Sequence, residues 1–283
     1  MIHAKIISRM AGLTMLDVFD RMMCLISCQW NVDHFDRFSY TYGGRKKGFG
    51  EPCSFDFARK VIEMDPDGAL RFEIGGDGDS NAFRGSCPAC TRSDLKPVVL
   101  AFPSCYHGHV AAAHYIEEAF DAWDPVFGHA DDMSYGLWQV CSDPRSYPTR
   151  YGTIDGFPIL KQRLEPPFGI IERIDVTKNP GKSRMVNGFY RHVASEMWLG
   201  SEFWEHASCS KEDVLAADWI LEKKETSQFL YIKTWHELFT RPDGEQGRQQ
   251  ARLWRLLFDE DCEWPPGSGG ISDSPVGGPP DLL

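Results

Sequence analysis

Cys87-Pro88-Ala89-Cys90, followed by Cys105, His107, His109 and His114, is the densest group of soft metal-ligand side chains in the sequence. A Cys-x-x-Cys turn can present two thiolates to one ion, and zinc takes sulfur and imidazole donors in a tetrahedron. Cys105 and His109 stand four residues apart, so one helical turn would aim both side chains the same way. The expected zinc ligands are therefore Cys87, Cys90, Cys105 and His109, with His107 as the alternative nitrogen. Three thiolates and one imidazole would fill the coordination sphere and leave no place for a reacting water. Such a site serves structure rather than catalysis.

The order of a knuckle, a short strand and then a helix carrying the last two ligands resembles that of treble-clef zinc sites, over the stretch from Ser86 to Ala119. The competing reading is an ordinary metal-free core, since free cysteines are among the most buried residues.

Other residues offer chemistry in looser arrangements. His107, His109, His114 and His129, with nearby carboxylates, could support a metal-assisted hydrolase. His109 and His114 are five apart, however, which is not the four-residue step of a His-Glu-x-x-His helix. His129-Ala130-Asp131-Asp132 could hold a hard metal or start a helix, and paired aspartates at a loop end more commonly cap. Arg191, His192 and Glu196 read as the polar face of a helix. Gly181-Lys182-Ser183 matches the end of a phosphate-binding loop, but Val176 stands where that loop needs glycine.

The whole chain bounds these options. It has 283 residues with a net charge of −11, and 42% of its residues are hydrophobic, which fits a large buried core. That charge argues against nucleic acid or an anionic membrane as partner, because phosphate neutralisation needs clustered cations. No stretch of eighteen uncharged apolar residues occurs, so no transmembrane helix is expected. Asp17, Asp20 and Arg21 interrupt the apolar Met10–Ile26 region, which does not read as a signal peptide. Nine cysteines, an odd number, fit reduced thiols in the cytoplasm or nucleus.

The elements that must position these residues follow from periodicity and turn chemistry. Leu13–Ile26 reads as an amphipathic helix and Tyr40–Gly50 as a glycine-rich loop. Ala58–Met64 and Ala69–Ile74 flank Asp65-Pro66-Asp67-Gly68 and read as a β-hairpin. Pro97–Phe102 should contain a strand, Tyr106–Trp123 a helix, Tyr135–Val140 a strand and Ile170–Val176 another. Helices are expected over Arg184–Glu205, Lys211–Lys224, Ser227–Thr240 and Glu245–Asp261.

The expected class is α/β or α+β, in three parts: a mixed part over 1–165 with the zinc knuckle, a mainly helical part over 166–264, and a disordered Pro/Gly tail over 265–283. The expected function is an interaction or adaptor protein stabilised by structural zinc, with a protein partner. The metal-assisted hydrolase and the metal-free protein are the alternatives.

Overall fold

The computed structural model describes residues 1–9, 14–30, 34–42, 45–49, 52–64, 69–74, 83–87, 95–102, 106–164 and 169–265. In chain order the first elements are β1 (Ile2–Arg9), α1 (Met15–Trp30), β2 (His34–Phe35), β3 (Arg37–Tyr42), β4 (Arg45–Phe49), β5 (Cys53–Ser54) and α2 (Phe55–Glu63). Then come β6 (Ala69–Ile74), β7 (Phe83–Cys87), β8 (Leu95–Phe102), α3 (Tyr106–Trp123), β9 (Phe127–Asp132), α4 (Met133–Val140) and α5 (Tyr147–Tyr151). The rest comprises β10 (Ile159–Arg163), β11 (Ile170–Ile174), β12 (Arg184–Val186), β13 (Phe189–Arg191), β14 (Glu196–Gly200) and a 3₁₀ turn at Glu202–Glu205. Finally α6 (Lys211–Ala216), β15 (Glu222–Glu225), β16 (Phe229–Lys233) and α7 (Gly244–Phe258) close the described chain.

Ten strands form one sheet in the order β15-β16-β14-β9-β1-β8-β7-β6-β3-β4, and every pairing in it is antiparallel. The class is therefore mixed α+β, and the sheet takes strands from both sides of residue 165.

Strand alternation feeds two cores. Ala4 and Ile6 of β1 and Trp198 of β14 point into a cluster with α1 and α3, whereas Ile7, Met197 and Leu199 point into a second cluster with Trp254, Leu257 and Phe258 of α7. Each such buried apolar side chain contributes about 1.5–3 kcal/mol relative to exposure. Tyr135, Trp138, Tyr147, Phe157 and Ile174 make a third, smaller core. The indole Nε1 of Trp254 donates to the Pro180 carbonyl at 2.8 Å, so its burial leaves no polar atom unpaired.

Helix α3 has the expected bounds, with Ala112, Tyr115, Ile116, Ala119 and Phe120 buried at helical spacing. Val110, on the same helix, is exposed. The helix can sit close to the sheet because β9 carries glycine beneath it: a Cβ on Gly128 would lie 2.4 Å from Ile116 Cγ2. Strand β8 and helix α1 also form where expected.

Several expectations are corrected. The Ala58–Met64 half of the supposed hairpin belongs to helix α2, whose Ala58, Val61 and Ile62 are buried at helical spacing behind a Ser54 cap. Tyr40–Gly50 contributes to strands β3 and β4 rather than a loop. Tyr135–Val140 is helical, started by the Asp132 side chain accepting from Tyr135 N. The region after 166 is not mainly helical: Arg184–Glu205 forms three strands and a 3₁₀ turn, and Lys211–Thr240 one short helix and two strands. Continuous apolar runs such as Met197-Trp198-Leu199 belong to a strand covered on both faces, and periodicity alone does not separate these from a buried helix. The knuckle beyond Cys87 and the tail after residue 265 lie outside the described residues.

Candidate metal centre

Strand β9 builds the centre. Its alternation sends Phe127, His129 and Asp131 to one face and Gly128 and Ala130 to the other, against α3. In the β1–β9 register His3 is opposite Asp131 and Lys5 opposite His129. The third member arrives from far along the chain. Strands β12 and β13 pair around Asn187-Gly188, both with positive φ (50° and 81°), as a two-residue turn requires. That hairpin delivers His192 to the edge of the same polar island.

His129 Nδ1 lies 3.0 Å from Asp131 Oδ2, and His192 Nε2 lies 3.0 Å from Asp131 Oδ1. The two imidazole rings are 4.1 Å apart, centroid to centroid. One donor atom from each of His129, Asp131 and His192 falls within 4.8 Å of the others, so the group could hold a metal ion. Side-chain exposures of 0%, 12% and 3% put all three away from bulk water. Beyond them, Ser183 Oγ lies 3.0 Å from His192 Nδ1, and the Tyr190 hydroxyl donates to Ser183 Oγ at 2.5 Å.

Two electrostatic features stand out. The Lys5 ammonium lies 3.3 Å from Asp131 Oδ2. Burial alone would raise the Asp131 carboxyl, but His192, His129 and Lys5 hold it well below the usual carboxylate range. Burial would lower Lys5, and Asp131 raises it instead. His129 is pushed down to about 3 by burial, so it is neutral at ordinary pH. His3 is likewise pushed down to about 3, by burial and then by Lys5. His129 Nδ1 faces the Asp131 carboxylate, whereas the buried Nε2 has no hydrogen-bond partner. An unmet buried polar atom costs about 1–3 kcal/mol, and a cation accepting the imidazole lone pair would remove that cost on one side of the ring.

The arrangement is capable of two kinds of chemistry. Two imidazoles and a carboxylate suit a borderline divalent ion such as zinc. Ser183, His192 and Asp131 alternatively form a hydroxyl–imidazole–carboxylate relay of the kind that activates a nucleophile.

Of the ligands expected from spacing, Cys87 ends strand β7, while its side chain, Cys90, Cys105 and the His107 side chain lie outside the described residues. His109 is described: on α3, across the sheet from His129, its Nε2 lies 3.0 Å from Glu196 Oε2. His114 pairs with Glu118 at 2.8 Å on the exposed side of the helix. Ser183 carries no phosphate loop, since Gly181 N donates to the Gln139 side chain. Spacing could not have found the centre as a unit, because His192 is 61 residues from Asp131.

The sequence matches no family model and no curated protein. A solved structure, the Pseudomonas aeruginosa T6SS protein PA0821, is similar to this chain with a TM-score of 0.50 at 11% identity, over 90% of this chain and 72% of that chain. At that identity the likeness concerns the fold alone. No described helix is long and apolar enough to cross a membrane.

Proposed function

We propose that this chain is an interaction protein whose sheet is tied to its C-terminal strands by one structural zinc ion at His129, Asp131 and His192. The observation that carries this reading is the fully buried His129 ring, whose Nε2 is unpartnered while Nδ1 faces a carboxylate that a second imidazole also meets. Zinc is the ion of choice because it takes imidazole and carboxylate donors and brings no redox chemistry. Ser183 and Tyr190 would fix the His192 ring by its other nitrogen, the usual outer support of a ligating histidine. Three protein donors leave the fourth tetrahedral position of zinc open; the burial of all three keeps bulk water and substrate from it, which favours a structural ion over a hydrolytic one. The free thiols of Cys24, Cys53, Cys141, Cys209 and Cys262 support a reducing compartment, cytoplasm or nucleus.

Elemental analysis of the purified chain, with and without chelator, tests the reading. One zinc per chain is expected, with melting temperature falling on its removal and restored by zinc alone. A chain that takes up no zinc, and whose melting temperature zinc leaves unchanged, overturns it.

A second reading is favoured by the two 3.0 Å contacts of His192, which would make Ser183 a nucleophile with Asp131 orienting its base. A fluorophosphonate probe separates the two: labelling of Ser183 that His192→Ala abolishes would favour this reading.

A further inference from the structure

Strands β10 and β11 pair only with each other among the described strands and stand outside the ten-stranded sheet. All five residues of β10 are exposed, as are Ile170, Glu172 and Arg173 of β11. The base is firmly held: Ile174 is buried in the third core, Ile174 N donates to Ser142 O at 2.9 Å, and Asp175 N donates to Pro158 O at 2.7 Å. Leu164 N donates to Gly169 O at 2.7 Å at the far end. A two-stranded hairpin is marginal in water unless another element covers it.

Its surface is apolar and cationic. Ile159, Leu160 and Ile170 are 39%, 49% and 66% exposed, large values for such side chains. Lys161 pairs with Glu172 at 3.3 Å, but Arg163 and Arg173 have no carboxylate partner among the described residues. A cationic arm on a chain of net charge −11 is matched to an acidic partner, not to its own surface. Symmetric pairing of β10 with a second copy about Lys161 would set lysine opposite lysine, which disfavours self-association. Lipid is a poor occupant too, because the outer backbone groups of an open hairpin would go unpaired in hydrocarbon.

We propose that the β10–β11 hairpin is a docking surface that takes, as an added strand, an exposed segment of a partner protein in which apolar and acidic residues alternate. The inference rests on the reading of the chain as an interaction protein. Backbone pairing supplies much of the affinity, Leu160 and Ile170 the apolar contact, and Arg163 and Arg173 the selection of acidic over basic strands.

The test uses the full chain and two fluorescent strand peptides, one alternating valine with glutamate and one alternating valine with lysine, read by anisotropy. The glutamate peptide is expected to bind the native chain, less well as salt rises, and about tenfold more weakly to Arg163→Glu/Arg173→Glu, a change worth about one decade in Kd. The reversed variant is expected to gain the lysine peptide, an outcome that misfolding cannot produce. Leu160→Asp should weaken both. Equal binding of both peptides to the native chain, no binding of either, or indifference to charge reversal overturns the proposal. So does concentration-dependent dimerisation, or pelleting with phosphatidylserine vesicles, that the same substitutions abolish while peptide binding is absent. Chelator treatment leaves peptide binding in place, so loss of the zinc reading and loss of the docking reading are told apart.

Discussion

The imidazole rings of His129 and His192 lie 4.1 Å apart, with the Asp131 carboxylate reaching both of them at 3.0 Å from its two oxygens. One carboxylate therefore addresses two rings, one on β9 and one just beyond the end of β13, and each predicted behaviour of the centre turns on that shared anion.

His192→Ala should abolish stoichiometric zinc uptake, while the zinc-free melting temperature falls by only a few degrees. A partly supported imidazole is lost, but Asp131 keeps Lys5 as partner. Zinc titration followed by calorimetry reads the first quantity and thermal unfolding the second. Undiminished zinc binding in this variant would remove His192 from the ligand set.

Lys5→Met should act with opposite signs on the two states. Without metal it strands the buried Asp131 charge beside neutral His129, at a cost on the order of 3 kcal/mol. With zinc it removes a competing cation, so affinity should rise by about tenfold or more, equivalent to roughly 1.4 kcal/mol. Urea unfolding with and without zinc measures both. A rise in metal-free stability would contradict the buried ion pair.

The pair on the opposite face sets a pH dependence. Hydrogen bonding to Glu196 raises His109 above 6.5. The stabilisation from that charge is complete below the unfolded value near 6.5 and is lost as pH climbs through the raised one. Burial would raise Glu196, yet its bonds to His109 and Lys233 lower it on balance. Its contribution is present above the ordinary carboxylate range and fades as pH falls through the lowered value. Since His109 is 31% exposed, about 1 kcal/mol is the most that screening leaves. His109→Gln should flatten the alkaline limb of urea midpoints taken between about pH 6 and 9. An alkaline limb as steep as that of the native chain would sink the assignment.

Gly188→Ala should cost about 1 kcal/mol, because Gly188 holds φ 81° while open space surrounds its Cα. The penalty is backbone strain rather than a clash. As the β12–β13 turn delivers His192, zinc affinity should drop with stability. Denaturant unfolding and zinc titration on one preparation check whether the two losses move together.

Local patterns were legible where the sequence states one clear period. Tyr106–Trp123 alternates its buried residues at helical spacing and is a helix to the residue. Pro97–Phe102 is apolar, short and bounded, and lies within strand β8. In the C-terminal half β14 misleads because it is covered on both sides, so Met197, Trp198 and Leu199 form an unbroken apolar run without alternation. The corrective signal was Asn187-Gly188, a strong hairpin turn near the start of the expected Arg184–Glu205 helix. At the candidate centre, His129-Ala130-Asp131-Asp132 and Arg191-His192 each drew notice separately. Asp132 does cap the next helix, as the commoner use of such a pair suggests. What joins Asp131 to His192 is sheet topology, and no local spacing encodes it.

Strand β1 lies between β9 and β8, and among the described strands no other pairing bridges β15-β16-β14-β9 to β8-β7-β6-β3-β4. Residues 2–9 are thus the keystone between two half-sheets, synthesised before either neighbour exists. They must wait for Leu95–Phe102 on one side and Phe127–Asp132 on the other, closures of the long-range kind that fold slowly. A cut after Arg9 would therefore do more than trim an end: it would leave two exposed strand edges facing each other across a vacant lane, each a template for the wrong neighbour.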